Sequence, residues 1–305
     1  MTRPGGAAFD PSESSPIVVA TDGREQSDGA VRAGALFGRG SGWRIISAAP
    51  VLHNFAPELD LGITAQALDV LRDQQRQAVQ DQLRRALGQD PRVEVDVVTG
   101  DPAMATATVA ARDNASLIIC GLGRHNIVDR LLGDETALAI IRVAAHPVLA
   151  VPDDFAHPAR YAVVGVDFSE GSLRAAQLAP SFTTATATVY LVNVAPRGDA
   201  LNVVAGGFRA YEERASAQLQ RVIDGLHAPP NVHVQAVVRQ GDAGTELLRF
   251  AGDVGDGLIA VGTRGLGFVA RLLLGSVATK VIRASPMPVL TIPANRDAAA
   301  GGSDR

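Results

Sequence analysis

The amino-acid sequence contains a long internal repeat, and this duplication constrains the fold more than any other feature. The segment Pro147–Pro152 recurs with few changes as Pro288–Pro293, displaced by 141 residues, and the same displacement places Gly121 on Gly262. A repeat of this length indicates two duplicated domains, because the repeats of solenoid proteins span only about 20–50 residues. A chain of 305 residues is long enough for two such domains, each with its own hydrophobic core.

Short apolar segments alternate with segments of helical periodicity in each half. Strands that are apolar on both faces are typical of a parallel sheet covered by helices on both sides. We therefore predict an α/β fold of two tandem doubly wound, Rossmann-like domains, each a five-stranded parallel sheet flanked by helices. The predicted organisation is a disordered tail (1–15), domain 1 (16–152), a linker (153–159), domain 2 (160–293) and a second disordered tail (294–305). In the second half the predicted strands span 161–166, 188–194, 232–238, 257–261 and 288–292, and the predicted helices 171–182, 208–226, 243–254 and 276–284.

A glycine-rich loop joins the fourth strand of the second half to its last helix. Gly262-Thr263-Arg264-Gly265 follows the strand, and Gly275-Ser276 opens the helix. Glycine lets backbone N–H groups approach an anion without a Cβ in the way and can adopt φ > 0, while a helix N-terminus supplies unpaired donors and partial positive charge. With Ser276 as N-cap and phosphate donor, the pattern predicts a phosphate site, and a tight loop without a ligand is the alternative. The motif matches neither the P-loop nor the dinucleotide fingerprint.

The position of this loop predicts where a ligand would bind. Ligands of doubly wound sheets lie beyond the carboxyl ends of the strands, where the strand order reverses. The glycine loop follows the fourth strand of the second half and Asp167 follows the first, so both can meet at one crevice. For Asp167, a purely structural role as a turn residue or helix N-cap is as well supported by the sequence as a ligand contact.

Composition excludes several classes of protein. The net charge of −4, without a cluster of Lys and Arg, argues against a nucleic-acid partner. The single cysteine, Cys120, lies in an apolar run and is predicted to be a small buried hydrophobic residue in a reducing compartment. Residues 1–15 lack the pattern of a signal peptide, and no apolar stretch approaches the ~18 residues that span a bilayer. We therefore expect a cytoplasmic protein without a membrane partner.

Three motifs together resemble the universal stress proteins in their tandem two-domain form. These are Val-Asp-Phe-Ser-Glu after the first strand, Gly-x2-Gly-x9-Gly-Ser after the fourth and the closing Pro-Val-Leu-x-Ile-Pro, and the resemblance covers residues 16–152 and 160–293. It implies an adenine nucleotide alpha hydrolase-like fold and, in the ATP-binding branch, bound ATP with a regulatory or stress-response role. The site it implies in the second half comprises Asp167, Val194, Val261, Gly262, Arg264, Gly265, Gly275, Ser276 and Val277.

The resemblance also implies a role for each of these residues. Asp167 and the backbone of Val194 would hold the nucleoside, and the glycine loop with Ser276 would hold the phosphates and ribose. Arg264 is either a phosphate contact or a solvated side chain. Mg²⁺ is expected with a bound triphosphate, although no carboxylate is clearly placed for it. The closing strands would be apolar sheet edges if exposed. The resemblance implies that they pair with each other about a pseudo-two-fold axis, and we expect a homo-oligomer or a pseudo-symmetric monomer.

The first half departs from the motif. Its candidate residues are Asp22, Gly121, Arg124 and Gly133, with Arg124 where the second glycine belongs. Asp134 or Glu135 falls where Ser276 stands in the second half. An acidic side chain about 4 Å from a phosphate costs about 4 kcal/mol at an effective dielectric constant of about 20. Because Arg124 would offset part of this repulsion, binding of a nucleotide by the first half stays open.

Signatures of a dedicated enzyme are missing from the sequence. It contains no Gly-x-Ser-x-Gly, His-Glu-x-x-His or Cys-x-x-Cys motif, and its six histidines are scattered. A complete phosphate loop without a general base favours a protein that holds ATP for regulation. A slow ATPase or another nucleotide-using enzyme of the same fold is the alternative, and a nucleotide-free scaffold is a further one.

Overall fold

The computed structural model describes residues 15–39, 42–49, 65–88, 93–123, 133–197, 207–255, 257–265 and 274–293, with the backbone alone for residues 48, 49 and 133–135. Contacts divide the chain into two units, and the boundary falls between His157 and Pro158. Each unit is an α/β domain with one sheet of five parallel strands, so the predicted fold class is confirmed.

The first unit has strand order β3-β2-β1-β4-β5. Its elements are β1 (Ile17–Ala20), α1 (Asp28–Phe37), β2 (Trp43–Ala49), α2 (Ala65–Leu87), β3 (Glu94–Thr99), α3 (Pro102–Arg112), β4 (Leu117–Gly121), α4 (Gly133–Val143) and β5 (Val148–Val151). Because β4 returns to the other side of β1, the loops after β1 and β4 lie where the strand order reverses.

The second unit repeats this topology, with strand order β8-β7-β6-β9-β10. Its elements are β6 (Ala159–Gly165), α5 (Glu170–Leu178), β7 (Thr183–Ala195), α6 (Gly207–Asp224), β8 (His233–Gln240), α7 (Ala243–Val254), β9 (Gly257–Gly262), α8 (Ser276–Ala284) and β10 (Val289–Ile292). The reversal here lies between β6 and β9, so the loops that follow these two strands adjoin one another.

The central strands form the core of each unit. In the second unit, Val163 and Val164 of β6 and Ile259 and Ala260 of β9 have no exposed surface. Neighbouring residues of a strand point to opposite faces, so complete burial of consecutive residues means that helices cover both faces of the sheet. Full burial of an aliphatic side chain stabilises the fold by about 1.5–3 kcal/mol.

Two elements of the second unit differ from the predicted bounds by more than two residues at one end. The predicted helix 171–182 is helical only as far as Leu178 and continues as a 3₁₀ turn (Ala179–Phe182), because Pro180 has no N–H to continue the α-helical hydrogen bonds. Strand β7 starts five residues before the predicted strand 188–194, in the threonine-rich segment Thr183–Ala187. Among the described residues, no helix is long and apolar enough to cross a membrane.

Candidate functional site

A cleft of about 280 Å³ opens at the carboxyl ends of β6, β7 and β9. It lies where the strand order of the second unit reverses, as is typical of ligand sites in doubly wound sheets. The structure brings together all nine residues predicted for this half, and each of them lines the cleft: Asp167, Val194, Val261, Gly262, Arg264, Gly265, Gly275, Ser276 and Val277. The cleft is also lined by Gly165, Val166, Ser172, Val192, Asn193, Ala243, Leu247 and Ala278.

The N-terminus of α8 faces this cleft without a side-chain cap. Gly275 is the N-cap, and its N–H donates to the carbonyl of Thr263 at 2.8 Å. The next three residues, 276–278, line the cleft, and amides of a first helical turn have no partner within the helix. By contrast, α7 of the same unit is capped by Asp242, whose carboxylate accepts from the N–H of Thr245 at 2.9 Å. The start of α8 is therefore an open set of amide donors.

The prediction that Ser276 caps α8 is wrong. Gly275 takes the extended conformation of an N-cap (φ −62°, ψ 150°), and Ser276 is the first residue of the helix. Because the N–H of Gly275 is held by the carbonyl of Thr263, the helix starts one residue after the glycine. The exposed hydroxyl of Ser276 consequently remains at the cleft instead of satisfying the helix.

Close packing explains the glycines of the loop. A Cβ at Gly262 would lie 2.9 Å from the backbone nitrogen of Ser172, and one at Gly265 would lie 2.6 Å from Oδ2 of Asp167. A Cβ at Gly275 would lie 3.2 Å from the carbonyl oxygen of Thr263. None of these three glycines has a positive φ, so the loop does not use the left-handed conformation that glycine also allows.

Asp167 forms a turn at the mouth of the cleft. Its Oδ1 accepts hydrogen bonds from the backbone N–H of Ser169 at 3.0 Å and from the Ser169 hydroxyl at 2.6 Å. Ser169, rather than Asp167, is the N-cap of α5. The intervening Phe168 has φ 63°, which is uncommon for a residue with a side chain. Of the two structural roles that the sequence allows, a turn residue or a helix N-cap, Asp167 has the role of the turn residue.

A salt bridge joins the two helices on either side of the cleft. The Lys280 ammonium on α8 donates to Oδ1 of Asp242 at 2.7 Å and to the Thr245 hydroxyl at 2.6 Å. The hydrogen bond from Lys280 is the main cause that holds the pKa of Asp242 well below its usual value. A Cβ at Gly244 would lie 2.8 Å from Cδ of Lys280, so glycine at this position makes room for the lysine stem. These contacts position the N-termini of α7 and α8 against each other.

Asn193 and Tyr211 are features of the site that the sequence analysis missed. The side-chain amide of Asn193 donates to the carbonyl of Val166 at 2.7 Å and accepts from the Tyr211 hydroxyl at 2.8 Å. Asn193 is 4% exposed and lines the cleft. An asparagine within the apolar run Leu191–Val194 was the available signal, since buried polar residues are uncommon and usually hydrogen-bonded.

The first unit has a smaller cleft, of about 180 Å³, at the corresponding place. Asp22 and Gly121 line it, and Gly133 is the first residue of α4, where the structure describes the backbone alone. Arg124 lies outside the described residues, as do the side chains of Asp134 and Glu135. Of the residues predicted for this half, the structure brings Asp22 and Gly121 to one cleft, and the places of Arg124 and Gly133 in the site remain predictions.

Helix α2 fixes the loop that follows β1. The buried Gln82 accepts from the Thr21 hydroxyl at 2.7 Å and donates to the carbonyl of Arg24 at 2.9 Å. Arg85 donates to both oxygens of Asp28, at 3.0 Å each. These long-range contacts hold α2 against the loop whose first residue, Thr21, lines the smaller cleft.

Cys120 lies at the end of β4 and also lines the smaller cleft. It is 3% exposed, which confirms the predicted buried cysteine, and burial raises the pKa of its thiol to about 12. The thiol is consequently protonated at neutral pH. Within the part of the chain that the structure describes, no cluster of His, Cys, Asp and Glu could hold a metal ion.

Comparison with known proteins supports the relationship suggested by the motifs. The sequence model of the universal stress protein family matches residues 13–152 and 160–293. The chain is similar to Universal stress protein Sll1654 of Synechocystis (32% identical over 79 residues, 26% of this chain and 50% of the relative). It is also similar to a universal stress protein of Methanothermobacter thermautotrophicus (35% identical over 79 residues, 25% of this chain and 53% of the relative). The chain thus spans about half the length of the curated relatives it matches.

The fold resembles the crystal structure of a universal stress protein from Archaeoglobus fulgidus, with a TM-score of 0.63 and 21% sequence identity over 93% of this chain and 98% of that chain. A putative universal stress protein from Pseudomonas aeruginosa gives a TM-score of 0.60 at 14% identity, over 93% of this chain and 94% of that one. Likeness at these identities shows a shared fold. Since the family matches cover most of the sequence in two copies, the chain belongs to the universal stress protein family, with its two domains in tandem.

Proposed function

We propose that the second unit binds ATP and that the protein is a regulatory, stress-response member of its family. The observation that carries this proposal is the N-terminus of α8, which opens onto the cleft with no side-chain cap, beside the loop from Gly262 to Gly265. Amide donors and the helix dipole at such a terminus suit a phosphate group. The exposed hydroxyl of Ser276 adds a further donor at the same place.

The remaining lining residues suit the other parts of the nucleotide. Val166, Val192 and Leu247 give the inner part of the cleft an apolar wall for a purine base. The backbone of Val194 would contact the base edge, and Asp167 would lie beside the ribose. Arg264 stands at the loop, where its charge would favour the phosphates.

Mg²⁺ would arrive with the nucleotide. Asp167 is the one carboxylate among the described lining residues, and its Oδ1 is engaged by Ser169. Mg²⁺ in nucleotide sites commonly keeps several waters and binds through the phosphates and one or two carboxylates. We therefore propose a metal held mainly by the triphosphate, without a dedicated protein cage.

The described lining residues favour holding ATP over consuming it. They include no histidine, lysine or glutamate, and Asp167, which could act as a base, is held in a turn by two hydrogen bonds. Hydrolysis requires a group that activates or orients the attacking water. A bound nucleotide that persists can instead bias the shape of the protein or its choice of partner.

Calorimetric titration with ATP, ADP, AMP and tripolyphosphate tests this proposal, together with mass spectrometry of small molecules extracted from the purified protein. We expect affinity to fall from ATP to AMP as phosphates are removed, with one nucleotide bound per chain. Phosphate release should be far slower than the roughly 1 per second at the low end of typical enzymes. Failure of every nucleotide to bind would refute the proposal, rapid turnover would favour the ATPase, and two nucleotides per chain would implicate the first unit.

A further inference from the structure

Asn193 joins three elements at the inner end of the second unit's cleft. From the end of β7 its amide nitrogen reaches the carbonyl of Val166, which follows β6, at 2.7 Å. Its amide oxygen accepts from the hydroxyl of Tyr211, on the second turn of α6, at 2.8 Å. The flanking residue in the strand is Val194, and the residue after Val166 is Asp167, so the bridge ties together the two backbone segments expected to hold a nucleoside.

Both ends of this amide are already bonded within the protein. Asn193 is 4% exposed, and a buried amide that lost a partner would carry the full cost of desolvation. Burial raises the pKa of Tyr211, so its hydroxyl stays protonated and remains a donor at physiological pH. Asn193 is consequently suited to fix the distance between the strands rather than to select a base by its own hydrogen bonds.

We propose that Tyr211, acting through Asn193, is a positioning residue that holds α6 and the ends of β6 and β7 in the arrangement that receives the nucleoside. This inference rests on the proposed binding of ATP. It assigns to the link between Tyr211 and Asn193 the preorganisation of the end of the cleft that would bind the base. Where the link is already formed, ligand binding does not have to order these segments. The phosphate-binding end, at α8 and the glycine loop, does not depend on the link.

The first unit contains a corresponding link made of different residues. Ser47 at the end of β2 donates to the carbonyl of Thr21 at 2.7 Å, and Gln75 on α2 donates to the Ser47 hydroxyl at 2.8 Å. Thr21 precedes Asp22 as Val166 precedes Asp167. The same connection between strand ends and the following helix is therefore built twice, and the copy in the first unit supplies a matched control.

Tyr211→Phe tests the inference by removing one hydroxyl. We expect ATP to bind the variant about five- to tenfold more weakly, the effect of one hydrogen bond, while inorganic tripolyphosphate binds with unchanged affinity. The control Ser47→Ala removes the corresponding link from the first unit and should leave ATP affinity unchanged. Unchanged ATP affinity in Tyr211→Phe, or an equal loss for ATP and tripolyphosphate, would overturn the positioning role.

Hydrogen exchange of the unmutated protein provides a test that does not depend on the folding of a variant. Because a bound nucleoside opposes transient local opening of the preformed link, ATP should slow exchange at the start of α6, residues 207–211, whereas tripolyphosphate should not. Equal protection by both ligands, or by neither while ATP binds, contradicts the inference. If the unmutated protein does not bind ATP at all, the proposed function itself fails and the inference fails with it, so the two failures are distinguishable.

Discussion

The first residue of α8 offers a sharp test of where phosphates bind. Ser276→Glu adds a carboxylate at an exposed position beside the open amides of the helix. A negative charge in the first turn favours the helix itself by about 0.3–1 kcal/mol. The variant should therefore remain folded, and its thermal unfolding temperature should not decrease. Any loss of ligand can then be attributed to the binding site.

The size of the effect follows from the geometry of a helix N-terminus. A phosphate bound by the amides of residues 276–278 would lie about 4 Å from the new carboxylate. Two like charges at that distance repel by about 1 kcal/mol in bulk water and about 4 kcal/mol at an effective dielectric constant of about 20. Because Ser276 is exposed, we expect a value in the lower part of this range, about 1–3 kcal/mol. ATP affinity should fall by about fivefold to about 140-fold.

Calorimetry at low ionic strength is the appropriate assay, since salt screens exposed charges. Ser276→Gln is the matched control because it has nearly the same size and shape without the charge. We expect the Gln variant to bind ATP within about threefold of the unmutated protein, and the difference between Glu and Gln to shrink as salt is added. Equal affinity of the two variants for ATP at low salt would refute the argument that phosphates lie at the start of α8.

Three further predictions concern stability and reactivity. Gly262→Ala should lower the free energy of unfolding by about 1–3 kcal/mol, because the added Cβ would come within 2.9 Å of a backbone atom. Gly121→Ala is the matched control, because its Cβ would have 3.4 Å of room, and it should change the free energy of unfolding by less than about 0.5 kcal/mol in the same thermal unfolding experiment. The Asp113 carboxyl has its pKa lowered to about 2, chiefly by the hydrogen bond from Arg112. The ionised carboxylate stabilises the fold at pH values above the unfolded pKa near 3.9, and this stabilisation is lost as the pH falls towards 2. Asp113→Asn should therefore lower the free energy of unfolding by about 1 kcal/mol at neutral pH. In urea unfolding at a series of pH values, the stability of the variant should decrease less steeply in acid than that of the unmutated protein. Cys120 is buried and its thiol has a pKa of about 12, so iodoacetamide at about pH 8 should alkylate it only after the protein is denatured. Mass spectrometry of the treated protein measures the alkylation, and rapid alkylation of the folded protein would contradict the burial of this thiol.

Much of the fold could be predicted because the sequence carries the same information twice. Consecutive apolar residues in β6 and β9 required a sheet covered on both faces, and the repeat fixed the number of domains. The limits of the final helix, Ser276–Ala284, agree with the structure because Gly275 and the following pattern mark its start. The end of α5 was misplaced because apolar periodicity continues through Pro180, which interrupts the α-helical hydrogen bonds.

The sequence also predicted which residues surround the cleft, but it did not predict how they are held. The position of a glycine loop after a strand follows from local pattern, so all nine residues of the second half come together. The hydrogen bond from Tyr211 to Asn193 depends on the rotation of α6 about its axis and on its approach to β7, and neither is encoded in local spacing. The capping role of Ser276 failed for a similar reason, because a contact from the carbonyl of Thr263 decides where the helix begins.

The loop glycines and the N-terminus of α8 differ in whether contacts within the protein account for them. Gly262, Gly265 and Gly275 each face an atom of the chain that a Cβ would approach within 3.2 Å or less. Packing against backbone accounts for glycine at position 262, and close contacts also favour glycine at positions 265 and 275. Packing does not explain why the N-terminus of α8 lacks a capping side chain. Such a cap stabilises a helix by about 1 kcal/mol, and Asp242 provides one for α7 in the same unit. The nucleotide proposal therefore depends less on the glycines that first suggest it than on the uncapped amides beside them.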